Sequence, residues 1–190
     1  MKRVFVAIDI SDEARRRVAA RISAHKTALP GSAIKWLHPE KLHLTIRFVG
    51  DVDEEQLKAV ADAVEKVSAQ CRSFELCLNG VGVFPSPSKV RVLWIGIDDD
   101  RAMCVKLKEM LEPELQRLGF AGERKALKPH LTVARTKDLW KARHLIQTHL
   151  DTEFEPIDFE VSEIVIYESK LLPTGSVYSR IAGFQLRQNT

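Results

Sequence analysis

Cysteine is scarce in this 190-residue chain: Cys71, Cys77 and Cys104 are the only three. Their number is odd and no pair has Cys-x-x-Cys spacing. Neither a disulfide framework nor a cysteine zinc site follows, and a reducing compartment fits best. Long apolar runs are absent too, and nothing approaches the ~20 residues of a membrane-spanning helix. Met1-Lys2-Arg3 followed by Val4 to Ile8 starts like a secretion signal, but Asp9 ends the run far too early. A cytoplasmic protein with no membrane partner is the expectation. Neither charge sign dominates: 29 Lys and Arg against 26 Asp and Glu leave a net +3. That is compatible with a polyanionic partner and equally with a solvated basic surface. No low-complexity tract or linker divides the chain. With 45% hydrophobic residues it can bury a substantial core as one domain or two tightly packed lobes.

Against this ordinary background one short stretch occurs twice. His43-Leu44-Thr45-Ile46 is answered 87 residues later by His130-Leu131-Thr132-Val133. Each reads as a β-strand, because alternate residues point to opposite faces. His43, Thr45 and Arg47 then share one face, and Leu44, Ile46 and Phe48 the other. The contexts repeat as well. Val4-Phe5-Val6-Ala7-Ile8-Asp9 precedes the first copy and Leu93-Trp94-Ile95-Gly96-Ile97-Asp98 the second, with Asp9 34 residues before His43 and Asp98 32 before His130. An amphipathic stretch and a basic loop lie between in both cases. The whole chain, 1–190, is therefore expected to be a single two-lobed domain with an internal repeat of roughly 3–90 and 91–185. Two such halves can face each other across a pseudo-twofold cleft with one histidine strand from each.

In chain order, 3–10 reads as a strand and Ser11 as the N-cap of a helix with Ala14, Val18 and Ile22 inward. Arg15, Arg16, Arg17 and Arg21 are expected to form its solvated face, and Leu29-Pro30-Gly31 to close it. Ile34-Lys35-Trp36 is a short strand candidate, and Gly50-Asp51 should end the His43 strand. Asp53-x-x-Gln56 resembles a capping box opening a helix with Leu57, Val60, Val64 and Val67 on one face. Strands are expected at 74–84 and 91–97, joined by the stiff Val83-to-Lys89 connection. Asp100 is the expected cap of a helix carrying Cys104, Leu107 and Leu111, which Pro113 should kink or end. A basic loop from Gly119 to Pro129, with Arg124, Lys125 and Lys128, leads into His130. A helix at 138–149 follows, then strands at 154–168 and 177–185 around the turn Leu172-Pro173-Thr174-Gly175. Trp36, Trp94 and Trp140 are expected in the core, and His25, His38, His144 and His149 outside any catalytic role.

The repeated pair suits chemistry at phosphorus. Residues i and i+2 on one strand face lie roughly 6–7 Å apart, so two His-x-Thr strands can surround a tetrahedral anion with two imidazoles and two hydroxyls. In-line displacement needs one proton removed from the attacking oxygen and one given to the leaving oxygen. A neutral and a protonated histidine supply that pair near neutral pH. Thr45 and Thr132 can bear on the non-bridging oxygens, helped by an arginine. Arg47 has the right strand parity for this. Arg135 has the wrong parity and needs a bulge, or the strand's end, to reach the site. No carboxylate or cysteine stands at metal-ligand spacing from either histidine, so no metal and no cofactor is expected.

Leu42-His43-Leu44-Thr45-Ile46-Arg47-Phe48-Val49-Gly50 and Pro129-His130-Leu131-Thr132-Val133-Ala134-Arg135 resemble the paired signatures of the two-histidine (2H) phosphoesterase superfamily. Within it the chain is most similar to the RNA 2′,3′-cyclic phosphodiesterase family, historically called 2′-5′ RNA ligases, from residue 3 to about 185. The resemblance implies an α+β fold of two lobes, each an antiparallel sheet with outer helices, around a central cleft. It implies hydrolysis of RNA 2′,3′-cyclic phosphate ends to 2′-phosphomonoesters, with 2′-5′ joining of RNA ends as an associated reaction. The expected partner is RNA with such an end, tRNA fragments being one candidate source, and the expected state is a monomer. It also implies a phosphate contact for Arg135, and leads to His130 as general base and His43 as general acid. Two alternatives stay open at this point: a non-catalytic RNA-end-binding module, and a phosphodiesterase acting on a small cyclic nucleotide.

Overall fold

Strand β1 (Lys2–Asp9) is buried on both faces from Val4 to Ile8, which is why it reads as a continuous apolar run rather than an alternation. It lies centrally in the first of two sheets in a computed structural model that describes residues 1–28, 33–123, 125–173 and 175–188. Leu29-Pro30-Gly31, Arg124 and Thr174 lie outside the described residues, and with them the expected helix closure and part of the 172–175 turn. Helix α1 (Asp12–Ala28) follows, then β2 (Ile34–Trp36), a 3-10 turn at Pro39–Lys41, β3 (His43–Val52), helix α2 (Glu54–Ser68) and β4 (Phe74–Phe84). The second half runs β5 (Val92–Asp98), helix α3 (Met103–Arg117), β6 (His130–Thr136), helix α4 (Leu139–Asp151), β7 (Ile157–Val161), β8 (Glu163–Leu172) and β9 (Gly175–Gln185).

The sheets are ordered β3-β1-β8-β9 and β2-β6-β5-β4-β7, and all the strand pairs are antiparallel. Each sheet thus draws strands from both halves of the chain. The region expected as one strand at 154–168 is broken at Ser162, because β7 pairs with β4 in the second sheet while β8 pairs with β1 in the first. Helices α2 and α3 pack on the first sheet, and α1 and α4 on the second. Val4, Val6 and Ile8 of β1 and Leu93, Ile95 and Ile97 of β5 point to these helices. The opposite faces carry the two motifs, and β3 and β6 run close together where the sheets meet.

Local signals explain most helix starts. The Ser11 hydroxyl accepts from the Ala14 amide at 3.2 Å. Both bonds of the Asp53–Gln56 capping box are present, at 2.8 and 3.0 Å. The cap of α3 is Asp99, not Asp100: its carboxylate takes the Met103 and Cys104 amides at 2.8 and 2.7 Å. Pro113 does not end α3, which continues to Arg117. Likewise β3 continues through Gly50, whose φ of +106° only glycine adopts without strain, to Val52. The arginines of α1 are not a uniform solvated stripe. Arg21 caps the end of α4 through the carbonyls of His149, Thr152 and Glu153, Arg17 pairs with Glu155, and Arg15 reaches the first motif. Trp140 is not in the core but 77% exposed, with the Arg143 guanidinium over its ring.

Candidate active site

Both histidines open their strands, and both rings are held the same way. His43 Nδ1 lies 2.9 Å from the Lys41 carbonyl, and His130 Nδ1 2.7 Å from the Lys128 carbonyl. A carbonyl only accepts, so each Nδ1 carries the proton and donates it, leaving Nε2 with its lone pair in the neutral ring. His43 Nε2 accepts from the Thr45 hydroxyl at 3.1 Å. The carbonyl beside His43 is itself in a held turn: the Arg15 guanidinium donates to Pro39 O at 2.6 Å and Leu42 O at 3.3 Å.

The register then decides the arginines. Opposite β1, Thr45 pairs with Ala7 and Arg47 with Val6, so Ile46 is the extra residue of a β-bulge. Opposite β5, Thr132 pairs with Trp94 and Ala134 with Leu93, so Val133 is the extra residue at the corresponding place. A bulge reverses the alternation beyond it. Arg47 is thereby turned to the helix side, 5% exposed, and bonded to Glu112 and the Ala121 carbonyl. This corrects the parity expectation that placed it beside His43 and Thr45. Arg135 is brought to the face of His130 and Thr132, paired with Val92 on one side and Lys35 on the other. Its counterpart in the first half is Phe48, 56% exposed.

Aromatic rings floor both half-sites. His43 packs against Phe5, Tyr178 and Tyr167 at centroid distances of 4.8, 5.0 and 5.8 Å. His130 meets Phe84 at 4.9 Å and Trp94 at 6.4 Å. Trp94 therefore lines the site rather than the core. Its ring lies across Gly82, where any Cβ would stand 2.2 Å from the indole. These rings were invisible in sequence as site residues; the one available signal is their position opposite the motif strands, which needs the register.

Burial among the rings pushes the His43 pKa down to about 4, aided by the nearby charges of Arg15, His130 and Arg135, against the opposing effect of the Lys41 carbonyl. His130 is lowered too, by burial and then by Arg135 and Lys125, while the Lys128 carbonyl raises it. The charges acting on the pair are thus cationic, a field suited to an anionic group between them. His25 and His149 are buried away from the site, stacked on Trp36 and bonded to the Trp94 carbonyl respectively. Among the described residues no group of three or more His, Cys, Asp or Glu could hold a metal, and no helix is long and apolar enough to cross a membrane.

Two exchanged antiparallel sheets, each presenting a His-x-Thr strand to the other, define a duplicated two-histidine fold. The chain belongs to the LigT-like phosphoesterases: the family model matches residues 8–94 and again 95–178. It is 36% identical to an RNA 2′,3′-cyclic phosphodiesterase of Thermotoga maritima, over 93% of this chain and 91% of that protein. A second RNA 2′,3′-cyclic phosphodiesterase, from Methanothermobacter thermautotrophicus, is 32% identical over 97% of this chain and 98% of its own length. Among solved structures, TT0787 of Thermus thermophilus superposes with a TM-score of 0.78 at 26% identity, covering 99% of this chain and 100% of that one. LigT of E. coli, complexed with 3′-AMP, shares the fold at a TM-score of 0.75 and 23% identity, over 97% and 98% of the two chains.

Proposed function

We propose that this protein hydrolyses the 2′,3′-cyclic phosphate end of RNA to a 2′-phosphomonoester, acting as a monomer with both histidines from one chain. The observation that carries the reading is the matched pair of imidazoles, each with Nδ1 tied to a backbone carbonyl two residues upstream and Nε2 free of the backbone, met in His43 by the Thr45 hydroxyl. The names of the full-length relatives support the substrate. His130 Nε2 takes a proton from water as the water oxygen bonds to phosphorus. The P–O3′ bond breaks, its electron pair stays on O3′, and the His43 imidazolium protonates that oxygen. Phosphate remains on O2′. Thr45, Thr132 and Arg135 bear on the non-bridging oxygens, where charge grows in the transition state. Arg47 takes no part at phosphorus. An RNA 5′-hydroxyl in place of water gives a 2′-5′ bond by the same two proton transfers.

The test is an oligoribonucleotide ending in a 2′,3′-cyclic phosphate. The expected product is the 2′-phosphate; affinity without product would identify a binding module instead. Turnover of a cyclic mononucleotide in preference to the oligomer would point to a small-molecule enzyme. Sulfur at the 3′-bridging position, a leaving group that needs little protonation, should rescue His43→Ala but not His130→Ala. The opposite rescue reverses the two roles.

A further inference from the structure

We propose that Arg47 is a positioning residue: from the strand that carries His43 it grips the loop that delivers His130. The bulge after Thr45 sends its guanidinium away from the cleft and into contact with α3 and the loop behind it. Nε donates to Glu112 Oε1 at 2.6 Å, and a terminal nitrogen donates to the Ala121 carbonyl at 2.6 Å. Another terminal nitrogen donates to the Phe48 carbonyl. Glu112 Oε2 in turn accepts the Glu123 amide at 3.4 Å. The Glu123 carboxylate lies 3.0 Å from Lys108 Nζ, which donates to the Lys125 carbonyl at 2.7 Å.

The loop is therefore held at Ala121, Glu123 and Lys125 by two buried cations, one from β3 and one from α3. Three residues further on stands Lys128, whose carbonyl orients the His130 ring. From Leu118 to Pro129 the described residues contain neither helix nor strand. A connection of that length samples many conformations unless something outside it restrains it. Two cations balanced by two carboxylates gain little stability over apolar residues of equal volume. What they do supply is a defined geometry. In the other half Arg15 performs the corresponding task on the short turn before His43. The two histidines are thus each set by a cation gripping the upstream backbone, and Arg47 makes the second setting depend on the first motif strand.

The kinetic part of the test rests on the hydrolase reading above; the spectroscopic part does not. Removing Arg47 alone would strand the Glu112 carboxylate, so both are replaced together, Arg47→Met with Glu112→Met. Imidazole nitrogen and proton resonances of the full chain are then followed against pH. His130 should lose its single Nδ1–H tautomer, because the Lys128 carbonyl that fixes it has moved, and its titration should depart from wild type, while His43 stays unchanged. With a cyclic-phosphate RNA, kcat should fall about tenfold to a hundredfold, the scale of a misplaced catalytic group, with KM little altered. Glu123→Gln with Lys108→Met loosens the same loop while leaving Arg47 and its bonds to Glu112 and the Ala121 carbonyl in place, losing only the longer 4.0 Å Arg47–Glu123 ion pair on the β3 side. It should move His130 in the same sense, and it decides the matter where the first pair fails to fold. An unchanged His130 in a folded variant overturns the proposal, as does an equal disturbance of both histidines. Absence of turnover in the wild type would count against the hydrolase reading alone.

Discussion

The titration of the two histidines makes a sharp kinetic prediction, in which substrate binding is the perturbation. In the free protein His43 has a pKa of about 4, so at pH 7 roughly one molecule in a thousand carries the imidazolium that the proposed acid role requires. A phosphodiester monoanion about 4 Å away, at an effective dielectric near 20, stabilises that imidazolium by ~4 kcal/mol. That is enough to bring His43 back to about 7 in the complex. The kcat/KM profile follows the free enzyme and the kcat profile the complex. Both histidines lie below 6.5 in the free protein, and losing the last proton from the pair abolishes the acid. The alkaline limb of kcat/KM should therefore fall below pH 6.5. That of kcat should fall higher, by an amount on the order of two pH units. Full pH–rate profiles on a cyclic-phosphate RNA measure both. Coincident limbs, or a kcat/KM limb above pH 7, would refute the reasoning that burial sets these histidines and the anion resets them.

Other expectations follow from the same geometry. His43→Ala and His130→Ala should each lower kcat by about 10²–10⁴, the range for a general acid or base. Their melting temperatures should stay near wild type, and a near-normal rate in either would remove that histidine from the mechanism. Thr45→Val removes the hydroxyl bonded to His43 Nε2 and should cost ~1.5–3 kcal/mol in transition-state stabilisation, as should Thr132→Val. Activity should survive chelation; loss with EDTA and recovery with a divalent ion would overturn the two-histidine mechanism. His149, fully buried with its pKa lowered from 6.5 to about 4 mainly by burial, should make stability acid-sensitive. The unfolded chain binds the proton first, so its contribution is complete above pH 6.5 and lost as pH falls toward 4, on the order of 3 kcal/mol. Urea midpoints at pH 7.5 and 5 should differ accordingly, and equal midpoints would contradict this.

Much of this protein is determined by the sequence itself, wherever the cause is local. The two His-x-Thr strands follow from two-residue alternation, the capping box from the spacing of Asp53 and Gln56, and the helix faces from apolar residues at helical spacing. The duplication was legible because it repeats residues, and with it the placing of one histidine at the start of a strand in each half. What only the tertiary structure decided depends on which strand lies beside which. A bulge arises where a strand has one residue more than its neighbour can match, so β3 and β6 carry no sign of it by themselves. Yet the bulges at Ile46 and Val133 exchange the fates of the two arginines, burying Arg47 against Glu112 and presenting Arg135 to the site. The break at Ser162 is of the same kind, since β7 and β8 part because their partners β4 and β1 lie in different sheets. The rings around each histidine come from neighbouring strands, and their approach depends on register, which long-range pairing sets and no single segment encodes.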